Sequence, residues 1–191
     1  SATTFSPDDT CTRAQILTFL WRAVGSPKSN IANPFTDLKA DDYYYTAALW
    51  ASEKGMVTGN QFKGNTPCTR SSTVTYLWQN AGTPKTTVRG AFTDVPANVG
   101  YAQAVSWAVE KGVTSGTSET TFSPDDTCTR GQIVTFLNRA LSSAEGAGTS
   151  ENKPTATIKP TETPKSTATA KPTETPKPTA TTKPTEATKP T

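Results

Sequence analysis

The chain has no histidine, one methionine and three cysteines among its 191 residues, and it has no apolar run long enough to span a bilayer. Each shortage excludes something. Without histidine, neither a Ser-His-Asp triad nor a Cys-His pair can form within the chain. No Cys-x-x-Cys spacing and no Asp-x-Asp-x-Asp-Gly loop is present, so the usual zinc and calcium patterns are missing as well. Asp125-Asp126 could be imagined as a glycosidase pair, but adjacent acids after a proline are ordinary turn chemistry. We therefore expect no catalytic residue, no cofactor, no metal and no membrane insertion. The chain also lacks an initiator methionine and a signal peptide, so Ser1 is read as a processing point or an edge within a longer protein.

Charge excludes a further class. Residues 149–191 carry seven lysines against four glutamates, which accounts for the whole net charge of +3. The remainder balances 12 basic against 12 acidic residues and is neutral. That is not the electrostatic footprint of a nucleic-acid binder.

What is present is repetition. Cys-Thr-Arg occurs at Cys11-Thr12-Arg13, Cys68-Thr69-Arg70 and Cys128-Thr129-Arg130, at spacings of 57 and 60 residues. The eleven residues from Thr3 to Arg13 recur unchanged from Thr120 to Arg130, and Phe35-Thr36-Asp37-Leu38 returns as Phe92-Thr93-Asp94-Val95. A unit thus runs from Phe-Thr-Asp through a first helix and a turn to a second helix opening at Cys-Thr-Arg. We divide the chain into residues 1–30, the second half of one unit; 31–85 and 86–145, two complete units; and 146–191, a Thr/Pro/Lys-rich tail. The tail has too little apolar surface to fold and reads as a disordered, polyproline-biased linker. Its last 43 residues could reach roughly 130 Å at full extension.

The expected fold is mainly α. Tyr101, Ala104, Val105, Ala108 and Val109 keep helical spacing before Gly112, as do Tyr44, Ala47, Ala48 and Ala51 before Gly55. The second helix shows Ile16, Leu20, Ala23 and Val24 in the first copy and Ile133, Phe136, Leu137 and Ala140 in the third. Each helix is short and one-sided, so the copies must pack on one another to make a core.

The start of the second helix carries the candidate chemistry. Thr12 with Gln15, and Thr129 with Gln132, match a capping box, whereas Thr69 is followed by Ser72, too short to complete one. With Thr as N-cap, the arginines stand in the first turn, where a cation opposes the helix dipole. Such a concentration of positive charge and free amides suits an anion. Equally, Asp8, Asp9, Asp125 and Asp126 lie just upstream and could pair with the arginines, and both readings stay open. The middle copy lacks the acidic pair, so Arg70 has the least local explanation. Trp50 and Trp107 occupy equivalent places on the first helix, and Trp21 and Trp78 on the second; each indole could stack on a sugar or pack between copies. Asp37 and Asp94 read as helix caps, and the three cysteines as buried thiols.

Phe-Thr-Asp-Val, Tyr-Ala-Gln-Ala-Val-Ser-Trp-Ala-Val-Glu-Lys-Gly-Val, Phe-Ser-Pro-Asp-Asp and Thr-Arg-Gly-Gln together resemble the S-layer homology domain, over residues 1 to about 141. The resemblance implies a pseudo-threefold helical assembly that attaches noncovalently to a secondary cell-wall polysaccharide, often bearing pyruvate ketals, at a bacterial surface. In that family the second helix opens with Thr-Arg-Ala-Glu, whose arginine contacts the acidic sugar in grooves between repeats. Carried over, this favours the anion reading and nominates Arg13, Arg70 and Arg130, with Gln15, Gln132, Trp50 and Trp107 around them. Thr12, Thr69 and Thr129 remain structural caps. The sequence departs from the family in lacking the glutamate of that motif in all three copies, which bears on which sugar is recognised. The expected partners are the peptidoglycan-linked polysaccharide and a surface-protein cargo beyond the linker. The competing expectation is a structural module that assembles a surface layer through protein contacts without binding glycan.

Overall fold

The computed structural model describes residues 4–86, 90 and 92–145. It contains five helices: α1 (Arg13–Ala23), α2 (Tyr45–Glu53), α3 (Arg70–Asn80), α4 (Ala102–Glu110) and α5 (Arg130–Glu145). The fold is mainly α, as the periodicity predicts, and α1, α3 and α5 each open at a Cys-Thr-Arg arginine. The linker reading of 146–191 lies outside the described residues.

α2 packs on α1 and α4 packs on α3, while α1, α3 and α5 meet one another around a central axis. Most of the positions that the spacing predicts are buried, but Ala23 is exposed at the end of α1, and Leu17, not named for that face, joins the core. Ile16, Leu17 and Leu20 of α1 are fully buried, as are Ala48 and Ala51 of α2 and Ala104 and Ala108 of α4. Each leucine so buried contributes about 2 kcal/mol of transfer free energy, and the small alanines let the paired helices approach closely. α2 and α4 have no side-chain N-cap. Gly55 and Gly112 end them at φ 70° and 67°, a region that only glycine enters freely. Gly116 is tighter still. At φ 92°, an added Cβ would meet Phe92 at 2.5 Å and the Thr121 carbonyl at 2.6 Å.

A closed ring of backbone hydrogen bonds fixes the axis. The amide of Cys11 donates to the carbonyl of Cys128 (2.9 Å), that of Cys68 to Cys11 (2.8 Å) and that of Cys128 to Cys68 (2.9 Å). Small thiols suit this crowded centre, and all three are free and buried. Burial pushes Cys11 up to about 11 and Cys68 up to about 12, and raises Cys128 as well, so the thiols stay protonated. Thr73 breaks the symmetry, standing where α1 and α5 have Ile16 and Ile133. Its hydroxyl lies 3.5 Å from both the Cys68 and Cys128 sulfurs.

Asp37 and Asp94 are not helix caps. Each carboxylate reaches forward to the loop ahead of the next Cys-Thr-Arg helix. Asp37 accepts from the amides of Phe62 (2.7 Å) and Lys63 (2.8 Å), and Asp94 from those of Phe122 (2.9 Å) and Ser123 (2.7 Å). Desolvation pushes both carboxyls up, but the paired amides outweigh it and hold both below their ordinary value.

Candidate functional site

The N-termini of α1, α3 and α5 are built alike. Thr12 closes a capping box with Gln15, and Thr129 with Gln132, each threonine amide donating to the glutamine Oε1 at 3.0 Å. Thr69 caps the Ser72 amide at 3.2 Å, and the short Ser72 hydroxyl instead accepts from the Thr69 hydroxyl at 2.9 Å.

The amides that the helix dipole would offer an anion are already used. The first two of α1 donate to the Thr66 and Gly64 carbonyls, those of α3 to Asp126 and Pro124, and those of α5 to Asp9 and Pro7. The expectation of unused donors at this spot is thus corrected: each helix start is plugged by the neighbouring copy's turn. These turns supply carbonyls, and among the described residues no carboxylate lies within ion-pair distance of Arg13, Arg70 or Arg130; the ion pair found there joins Lys111 to Glu110.

The guanidiniums repeat the cyclic pattern. Arg13 donates to the carbonyl of Phe62 (2.6 Å), Arg70 to Phe122 (2.8 Å) and Arg130 to Phe5 (2.9 Å), so each copy clamps the loop of the next and the third clamps the first. Aromatic rings complete two of the clamps. Arg70 lies 4.9 Å from the Phe122 ring centroid and 5.4 Å from Phe136, and Arg130 lies 5.0 Å from Phe5 and 5.2 Å from Phe19.

The three clamps differ in exposure. Arg70 is only 5% exposed, and desolvation lowers its pKa. With both rings over it and Thr114 beside it, it presents the least surface of the three to a ligand. Arg13 and Arg130 are both half-buried. Arg130 opens into a polar cavity of about 290 Å³ lined also by Thr4, Phe5, Ser6, Asp9, Thr10 and Gln15. The fold thus brings two nominated residues, Arg130 and Gln15, into one cavity from different copies. Tyr43, 64% exposed, is within electrostatic reach of Arg130 and Arg22. Sequence reasoning passed over it, although the 57-residue offset sets Tyr43 against Gly100 and so marks it as peculiar to one copy. Gln132 is exposed at its own helix start and is not among the residues lining that cavity.

Trp50 and Trp107 are 2% and 4% exposed and belong to the core. Their burial favours the packing reading over the sugar platform, and Trp50 also contributes to the lining of a cavity between α1, α2 and α3. Trp21 and Trp78 are half-buried staples whose indole N–H groups donate to the Pro27 and Pro84 carbonyls, both at 2.9 Å.

Residues 34–73 and 91–134 match the S-layer homology domain. These two stretches are S-layer homology repeats, the noncatalytic modules that anchor proteins to the bacterial cell wall through secondary polysaccharide on peptidoglycan. An endoglucanase of Bacillus sp. (strain KSM-635) is 31% identical over 152 residues, covering 74% of this chain but only 16% of the relative. The chain is thus similar to a small part of a much longer protein. Among the described residues no helix is long and apolar enough to cross a membrane.

Proposed function

We propose that this chain anchors a surface protein noncovalently by binding an acidic secondary cell-wall polysaccharide, with Arg130 as the principal anion contact. The observation that carries the reading is the polar cavity lined by Arg130, a guanidinium with no carboxylate within ion-pair distance, and by Gln15 of another copy. A carboxylate on the glycan, such as a pyruvate ketal, would take the remaining guanidinium donors in a charge-assisted pair. Residues 146–191 would then serve as a spacer to cargo, and the endoglucanase likeness suggests a polysaccharide-degrading enzyme as one cargo class. Sedimentation of the chain with purified Bacillus walls tests this. Wild type should co-sediment, Arg130→Gln should do so several-fold less, and walls stripped of polysaccharide should retain neither; equal retention by stripped walls overturns the proposal.

A second reading, assembly through protein contacts, is favoured by one feature. Val134 on α5 is 41% exposed, whereas its counterparts Leu17 and Val74 are fully buried on the helices that α2 and α4 pack against. A mostly apolar cavity of about 430 Å³ between α5 and α1 adjoins it. Analytical ultracentrifugation decides between the readings: a monomer that binds walls rejects assembly, and a polymer that ignores them rejects the anchor.

A further inference from the structure

The two complete repeats superpose in sequence at an offset of 57 residues, and around the first helix they differ in bulk. Phe35, Leu38, Tyr45 and Leu49 of the middle copy correspond to Phe92, Val95, Ala102 and Ser106 of the last. In the middle copy Leu49 is buried and the half-buried Tyr45 packs against the core. Asn33 adds two bonds there, accepting from the Phe35 amide and donating to the Leu38 carbonyl, both at 2.9 Å. In the last copy Gly90 stands in place of Asn33, so neither bond has a side-chain equivalent. Gly90 lies at φ 66°, and an added Cβ there would meet nothing within 4 Å.

These truncations leave a cavity of about 210 Å³ beside α4, walled by Phe92, Val95 and Val105 and widened by Gly90, Ala102 and Ser106. Val105, in place of Ala48, returns only part of the bulk lost with a tyrosine ring and a leucine. Ser106 lines the cavity and is 8% exposed, and among the described residues its hydroxyl has no hydrogen-bond partner. The half-buried amide of Gln103, on the same lining, has none either. A buried hydroxyl left unbonded is costly, and this one sits where the wall is otherwise apolar.

We infer that this cavity binds a phenolic ring, the group that the middle copy carries at the corresponding position as Tyr45. Apolar cavities of about 150 Å³ take up benzene, so the larger space here accommodates a ring with a hydroxyl and a methyl group. A plain hydrocarbon would leave Ser106 unbonded, and a sugar would strand its hydroxyls on apolar walls. A phenol hydroxyl both donates and accepts, which suits a serine hydroxyl beside a glutamine amide. None of Arg13, Arg70 and Arg130 lines the cavity, so the inference stands apart from the wall-anchor reading.

Titration of p-cresol, the side chain of tyrosine, into the full chain is followed by amide NMR. Shifts should centre on Gly90 and α4, with half-saturation at roughly 1 mM or below. Ala102→Tyr/Ser106→Leu installs the middle copy's residues and should weaken binding about tenfold or more, with a melting temperature no lower than wild type. Ser106→Ala should weaken p-cresol about fivefold and leave toluene binding unchanged. A blocked Ala-Tyr-Ala peptide separates the sources of the ring: displacement of p-cresol assigns the site to a tyrosine of another protein, and no displacement assigns it to a free phenol. Absence of shifts at about 10 mM p-cresol, or undiminished affinity in the refilled pair, overturns the proposal. If the pair melts early, Ser106→Ala decides, and wild-type affinity for p-cresol in that variant overturns it.

Discussion

The two ends of the Cys-Thr-Arg helices obey different rules. At their N-termini, all three copies share one arrangement of ring amides, loop carbonyls, threonine caps and arginine clamps. At their C-termini, Arg139 of α5 donates to the Val113 carbonyl, the matching Gln79 of α3 leaves its Oε1 unbonded, and α5 has an uncovered apolar face. The difference shows where symmetry is enforced. Backbone donors and acceptors are the same in every residue and must pair when buried, so a closed ring tolerates sequence drift. A contact made by one side chain is lost with a change such as Arg139 to Gln79.

The comparison breaks most visibly at the buried clamp. Arg70→Ala should cost about 3 kcal/mol in urea unfolding, because it strands the Phe122 carbonyl and empties the space between two rings. Arg130→Ala, at a half-buried clamp beside a polar cavity, should cost about 1 kcal/mol and act chiefly on wall binding. A reversal of that order would mean that the clamps are not graded by burial.

The caps come next. Thr12→Ala and Thr129→Ala should each lose about 1 kcal/mol, whereas Ser72→Gln should gain about 0.5 kcal/mol by completing the box that the middle copy lacks. Calorimetric melting of the three variants would check both signs.

A smaller effect should appear with pH. Asp37 and Asp94 are held below their ordinary carboxylate value, so the stability they contribute is present above about pH 3.9, the unfolded value. It is lost as pH falls through their lower folded values. Urea titrations between neutral and strongly acidic pH should show a shallower acid loss in Asp37→Asn/Asp94→Asn. At the axis, the raised thiol pKa values predict no effect at all in the native state. Iodoacetamide at pH 8 should leave folded protein unmodified and label all three cysteines in urea.

Much of this architecture was legible in the residues. The 57- and 60-residue offsets, the alanine-rich first helices and the Thr-x-x-Gln boxes foretold helices and caps, because all of these are local consequences of spacing and side-chain reach. The candidate site was legible only in outline. Arg13, Arg70 and Arg130 are indistinguishable by motif, yet one is buried under two rings and another faces a cavity. Trp50 and Trp107 could have faced a sugar or a neighbour, and burial assigned them to the core. Asp37 and Asp94 looked like caps for the helices that follow them, but their partners lie 25 and 28 residues further on.

By itself, then, the sequence determined the repeat, its helices, its caps and the neutrality of the folded part, since each depends on residues a turn or two apart. Only the tertiary structure decided which arginine is buried and which lines a polar cavity, and where the amides of the helix starts go. Those outcomes depend on how three copies close around one axis, and the ring bonds joining them link residues 57 to 117 positions apart, beyond the reach of any local pattern.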